Sequence, residues 1–258
     1  MSEANNLELD MENTSADRVV VKITGADRHS FLQGLVTNDV NRLSDGLVYT
    51  ALLSPQGKYL ADFFLVPTDD AILLDVEAGL APGLIQRLSM YKLRADVAIA
   101  PTALIVSRGV EDAPEGAFTD PRSASMGWRA YGETNMSQPV DWDALRVEHL
   151  IPETGVELHG DSYILEAGFE RLNGVDFKKG CYVGQEVTAR MKHKTDLRKG
   201  LAQVEVAGEA AAGTDITANG KVAGVLHTVT DGKGIAYLRF DRAKGEMSAG
   251  SATVTLAE

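Results

Sequence analysis

The most informative stretch of the chain is Lys178-Lys179-Gly180-Cys181-Tyr182-Val183-Gly184-Gln185-Glu186-Val187-Thr188-Ala189-Arg190. Two lysines precede a cysteine, glycines flank a Cys-Tyr pair, and Gln185-Glu186 opens a segment predicted to be helical. A thiol set between lysine charge and a helix N-terminus has a lowered pKa and more thiolate character. The same residues also read as a small buried hydrophobe between two turn glycines. From the residues alone both readings stay open.

The surroundings of this stretch are electrostatically unusual. Residues 178–199 carry seven bases against two acids, a local charge of +5. The 258-residue chain has 25 Lys+Arg against 37 Asp+Glu, a formal charge of −12, so the remainder carries −17. That balance disfavours generic nucleic-acid binding, which needs a cationic surplus to meet phosphate. For 192–199, contact with tRNA, with an acidic protein or with an anionic ligand tail stays open beside a plain solvated loop. Cys181 is the only cysteine, which excludes an intrachain disulfide scaffold and suits a reducing compartment. With 44% hydrophobic and 24% charged residues, the proportions are those of a globular protein of one large or two modest domains. No apolar run is long enough for a membrane helix. The acidic N-terminus, with no base before Arg18, matches neither a secretory signal nor a basic transit peptide, so a bacterial cytoplasmic location is expected over the mitochondrial matrix.

Residues 1–17 read as a flexible acidic arm. From there the pattern predicts a strand (18–24), a short helix capped by Asp27, a Thr37-Asn38-Asp39 turn, strands at 47–53, 59–66 and 71–76, an amphipathic helix (80–93), and strands at 96–100 and 103–107. Residues 109–140 read as a connection with strand character at 128–131, and 141–149 as a helix that Pro152 stops. Strands at 201–206, 222–229, 235–240 and 252–256, separated by turns such as Asn219-Gly220 and Asp231-Gly232, predict a small barrel or sandwich. The fold class is α+β with antiparallel pairing, divided into 18–199, subdivided near 109–140, and a β domain over 200–258. Dinucleotide and phosphate-loop motifs are absent, and neither the five histidines nor the lone cysteine has metal-ligand spacing.

Lys179-Gly-Cys-Tyr-Val-Gly-Gln-Glu186 resembles the signature of the YgfZ family, folate-binding relatives of the glycine-cleavage T-protein. Phe31-Leu-Gln-Gly-Leu-Val-Thr-Asn-Asp39, Ala51-Leu-Leu-Ser-Pro-Gln-Gly-Lys58, Tyr91-Lys-Leu-Arg94 and Leu165-Glu-Ala-Gly168 are similar to family blocks in the same order. The resemblance implies α+β subdomains around a central cavity that accepts tetrahydrofolate, followed by a β-barrel. It also implies work on iron–sulfur client or assembly proteins, with Cys181 as the functional thiol and Lys179 beside it.

A pterin edge is recognised by a buried carboxylate, and a folate tail by cationic or amide partners. Arg146-Val147-Glu148 is similar to the T-protein segment that supplies the pterin carboxylate, which makes Glu148 and Arg146 cofactor candidates; a solvated helix acid and a surface ion pair are the plain alternatives. Asn38, Tyr182 and Gln185 are further candidates, with turn and cap chemistry the alternative for Asn38, Asp39 and Gln33. The aminomethyltransferases carry two adjacent acids where this chain has Ala61-Asp62. On a strand these two residues face opposite sides, so one side loses its acid and Asp62 either meets folate or faces solvent. The departure argues against glycine-cleavage chemistry. The leading expectation is a tetrahydrofolate-binding accessory protein of iron–sulfur assembly or repair. A folate-dependent aminomethyl or methyl transferase and a non-catalytic interaction module are the alternatives.

Overall fold

A computed structural model describes residues 17–193 and 197–257. The expected acidic arm lies outside the described residues except for Asp17, as does the 194–196 part of the basic stretch. The N-terminal elements are β1 (Arg18–Thr24), α1 (Arg28–Gln33), β2 (Val48–Leu53), β3 (Tyr59–Pro67), β4 (Ile72–Glu77), α2 (Ala81–Lys92) and β5 (Ala98–Pro101). Their strands form an antiparallel sheet in the order β2-β3-β4-β1-β5. β2, β3 and β4 are apolar almost throughout because both faces are covered. One face packs on α1 and α2 around Ile23, Leu32, Ala61, Phe63, Leu84 and Leu88. The other packs on the turn-rich 151–182 segment through Tyr49, Phe64, Ile151, Leu158, Phe169 and Leu172. Asp27 does sit at the start of α1, but its carboxylate accepts from Asp96 N (2.8 Å) instead of capping the helix, because the 96–97 turn lies directly against it.

Residues 109–140 are more structured than their composition suggests. β6 (Ile105–Gly109), β7 (Phe118–Thr119) and β8 (Trp128–Gly132) form a three-stranded sheet in the order β6-β8-β7. Trp128 is buried, and its indole donates to Glu111 O at 3.0 Å. α3 (Trp142–Glu148) starts at Asp141, whose side chain accepts from Ala144 N at 2.9 Å. Residues 151–182 form neither helix nor strand yet bury Ile151, Leu158, Ile164, Leu165, Phe169, Leu172, Val175 and Tyr182, and α4 (Gln185–Lys192) follows.

The C-terminal part is a closed barrel of β9 (Lys199–Ala207), β10 (Asp215–Ala218), β11 (Lys221–Thr230), β12 (Lys233–Arg239), β13 (Met247–Ala249) and β14 (Ala252–Leu256), in the order β10-β11-β12-β9-β14-β13. Closure removes exposed strand edges. Two of its tight hairpins use Asn219-Gly220 (φ 51° and 73°) and Asp231-Gly232 (φ 48° and 77°), the positive-φ pairs that match strand twist. No described helix is long and apolar enough to cross a membrane.

The two N-terminal sheets meet through buried charge. Arg129 on β8 donates from Nη1 to Asp75 Oδ2 (2.8 Å) on β4 and from Nε to Asp120 Oδ2 (3.0 Å), and its guanidinium lies 3.9 Å from the Phe64 ring. Arg18 also pairs with Asp75, Tyr131 donates to it at 3.0 Å, and Arg122 grips Asp120 with two bonds of 3.0 and 2.8 Å. Burial alone would raise both carboxyls, but the arginines beside them outweigh it and hold both below the usual carboxylate range.

Removing Arg129 leaves two buried carboxylates short of a counter-charge, so Arg129→Ala is expected to cost about 3–5 kcal/mol in urea unfolding. Because both carboxyl pKa values are depressed in the fold, their contribution is present above the unfolded value of about 3.9 and is lost as pH falls below it, which acid unfolding at graded pH would read.

Candidate functional site

Two places concentrate chemistry. The first is a central cleft at the rim of the buried ionic network. It leaves about 50 Å³ open to the centre of a water molecule and is lined by Arg18, Arg108, Arg122, Arg129 and Arg146 with Asp17, Asp62, Glu77, Glu153 and Thr154. Asp62 faces the cleft while Ala61 points to the α2 side, the opposite orientations that strand alternation predicts. Asp62 is buried, with Oδ1 accepting from Tyr59 (2.6 Å) and Thr154 (2.7 Å) and Oδ2 from Tyr49 (2.9 Å). Burial, then the Asp62 charge, pushes both tyrosine hydroxyls well above their ordinary pKa, so they remain donors.

Arg146 is a buried hub, not a surface ion pair. It donates to Glu157 (2.9 Å), Asp143 (3.0 Å), Ile151 O (3.2 Å) and Thr228 Oγ1 (2.9 Å), joining α3 and the following turns to barrel strand β11. Glu148 lies elsewhere. It is exposed on the far side of α3 and accepts from Lys233 of the barrel at 2.7 Å, a partly exposed pair outside the cleft. Two residues along a helix is a turn of about 200°, so Arg146 and Glu148 part company.

The second place is the surface around Cys181. The thiol is exposed, and α4 begins four residues later with Gly184 at φ 84° before it. The two lysines separate. Lys178 is exposed, whereas Lys179 is buried and donates to three backbone carbonyls, Gln33 O (2.8 Å), Val36 O (2.5 Å) and Asn38 O (2.9 Å). Burial pulls its pKa down to about 8. Tyr182 is buried with its ring 5.2 Å from that ammonium. Lys179 therefore fastens the cysteine loop to the 33–38 turn and does not face the thiol. Asn38 belongs to the same fastening. It donates to Tyr49 O (2.9 Å) and Asn173 O (2.6 Å) and accepts from Asp39 N (2.8 Å), which is turn chemistry. Gln33 and Asp39 bond to each other at 3.0 Å.

Close packing fixes the loop from the other side. A Cβ on Gly184 would meet Ser54 O at 2.6 Å, and one on Gly57 would meet Val187 Cβ at 2.8 Å, so the β2–β3 turn and the start of α4 touch through glycines. Beside them lies an open groove lined by Pro55, Tyr91, Tyr182, Gln185, Glu186 and Ala189. Gln185 thus borders the groove, not the cleft. Exposed Met90 and Leu93 flank Tyr91 at the end of α2. Of the basic stretch, Lys192 pairs with Glu170, and Lys199 already starts β9.

Comparison with known proteins places this geometry in a lineage. Residues 198–258 match the family described as CAF17, C-terminal beta-barrel domain. The chain is 30% identical to the mitochondrial iron–sulfur cluster assembly factor IBA57 of Mus musculus over 278 residues, covering 89% of this chain and 78% of that protein. The chain belongs to the IBA57 family of iron–sulfur cluster assembly factors. The human IBA57 protein is 28% identical with the same coverage, and a Mycosarcoma maydis IBA57 homolog is 31% identical over 70% of this chain and 54% of its own length. In three dimensions this IBA57-family chain is similar to the glycine cleavage system aminomethyltransferase T of Bartonella henselae, with a TM-score of 0.74 at 13% identity, covering 94% of this chain and 83% of that one. The α+β fold of that enzyme, with a C-terminal barrel of six strands, is the fold of this chain.

Tetrahydrofolate is the cofactor that the resemblance implies. Drug-sized ligands occupy pockets of roughly 300–1,000 Å³. A cleft with about 50 Å³ open to water does not take a pterin, its Asp62 already accepts three hydroxyls, and Glu148 is outside it. In this arrangement the cleft does not fit the cofactor.

Lys179→Met is expected to leave three inward carbonyls without their donor, at a cost on the order of 2–3 kcal/mol, and to speed amide hydrogen exchange across 33–38. Glu148→Gln is expected to change stability by less than about 1 kcal/mol in the same unfolding assay.

Proposed function

We propose that the protein assists assembly of iron–sulfur clusters on partner proteins through the exposed thiol of Cys181. The observation that carries this reading is the thiol's placement. It sits at the surface in an inwardly fastened loop, next to an open groove, in a chain of the IBA57 family. A cluster is held by four thiolates, or by a mixture of thiolate and imidazole. This chain has one cysteine, and among the described residues no group of three or more His, Cys, Asp or Glu could hold a metal ion. Cys181 therefore supplies one soft ligand, and partner proteins supply the rest. The cluster is cargo passing between chains. The groove wall of Tyr91 and Tyr182, with exposed Met90 and Leu93, offers apolar area for such a partner. A reducing location, the bacterial cytoplasm in this reading, keeps an exposed unpaired thiol available.

A second reading keeps tetrahydrofolate as a ligand. It is favoured by Asp62, a buried carboxylate on the cleft wall with lone-pair capacity beyond its three hydroxyl donors. It requires the cleft to widen several-fold. Calorimetry would read it directly: saturable tetrahydrofolate heat that disappears in Asp62→Asn supports this reading, and its absence in folded protein rejects it. Glycine-cleavage transfer is disfavoured by Ala61, which leaves only one acid at the strand position where the aminomethyltransferases carry two.

In cells lacking the chain, Cys181→Ala and Cys181→Ser are expected to fold normally yet fail to restore the activity of iron–sulfur enzymes. Full rescue by either variant would end the thiol proposal.

A further inference from the structure

Four of the five cleft arginines have carboxylate partners. Arg18 and Arg129 share Asp75, Arg122 and Arg129 share Asp120, and Arg146 holds Glu157, Asp143 and Glu153. Arg108 on β6 has none: among the described residues its guanidinium makes neither a hydrogen bond nor an ion pair. It lies half-buried with its Cζ 4.5 Å from the centre of the Trp142 ring. This cation–π contact holds the guanidinium over the ring face and leaves its N–H donors unused among the described residues. Burial first, and then the charges of Arg129, Arg18 and Arg122, pull its pKa down to about 10, with Glu153 acting in the opposite direction. A half-buried guanidinium without a partner is suited to a ligand or ordered water.

We propose that the cleft binds a small monocarboxylate, seated on the guanidinium of Arg108. The size fits. A water needs roughly 10–15 Å³ of such space, so about 50 Å³ holds on the order of three to five heavy atoms, which is the span of formate or acetate. The charge fits as well. Asp17, Asp62, Glu77 and Glu153 face the same cleft, and their repulsion of a phosphate dianion is about twice that of a monocarboxylate, which the guanidinium offsets more readily. Glu153 is partly neutralised by Arg146 at 3.2 Å, and Glu77 is turned toward Gly79 N and Leu80 N, both at 2.9 Å. This site is separate from the Cys181 surface and does not depend on the role given to the thiol.

The test titrates the full chain with sodium acetate against sodium chloride at matched ionic strength, following the arginine Nε–H resonances by NMR. A saturable shift at Arg108 is expected, with a Kd on the order of millimolar, as suits four heavy atoms. Arg108→Gln should weaken it about tenfold or more, and Arg108→Lys, which keeps the charge but loses the fork, should do the same. Inorganic phosphate at equal ionic strength should give no saturable shift. An acetate response equal to that of chloride, tighter binding of phosphate than acetate, or wild-type affinity in a folded Arg108 variant would each overturn the proposal. Arg108→Lys serves as the measurement if Arg108→Gln fails to fold.

Discussion

A single guanidinium, that of Arg129, joins two sheets that share no hydrogen-bond ladder. It reaches Asp75 in the five-stranded sheet with one nitrogen and Asp120 beside β7 with another, while the ring of Phe64 covers its face. Away from water, each of these charges is tolerable only because the others are present. That dependence spreads outward. Arg18 and Arg122 complete the coordination of the two acids, and their remaining surfaces become the wall of the central cleft. The cleft is therefore lined by arginine for a structural reason: the cations needed to satisfy Asp75 and Asp120 also border the open space.

Much of this was legible in the chain. Apolar runs bounded by Gly, Asp and Pro marked the long strands, and paired Asn-Gly and Asp-Gly turns marked two barrel hairpins. β7, β10 and β13 were missed because two to four residues carry no measurable periodicity. The 151–182 segment gave no signal either, since its apolar residues are buried by turns instead of a repeating element. At the site, alternation correctly separated Ala61 from Asp62. Nothing in two adjacent lysines tells which turns inward, and adjacency to Arg146 made Glu148 look nearer the cleft than helix geometry allows. A usable signal was overlooked in Ile72-Leu-Leu-Asp75-Val and Trp128-Arg129-Ala: a charge inside an apolar strand implies a buried partner of opposite sign.

The relation to an aminomethyltransferase T shows one scaffold kept through a nearly complete change of sequence. At 13% identity the backbone path is retained over nearly the whole chain. What lines the middle here is an array of arginines and carboxylates with little free volume, and the one thiol is on the outside. Fold fixes where a site sits; the side chains decide what enters it. In this chain they put the single thiol at the surface and line the interior with paired charge.

The glycine contact between the β2–β3 turn and the start of α4 has a mechanical meaning. With no side chain at Gly57 or Gly184, backbone bears directly on its neighbours, and there is no flexible linker in which a displacement could dissipate. β3 leaves that same turn and carries Asp62 into the cleft four residues after Lys58. The inner carboxylate and the outer thiol are thus mounted on one short stiff frame, so a strand shift that opened the cleft would be transmitted to the loop that carries Cys181.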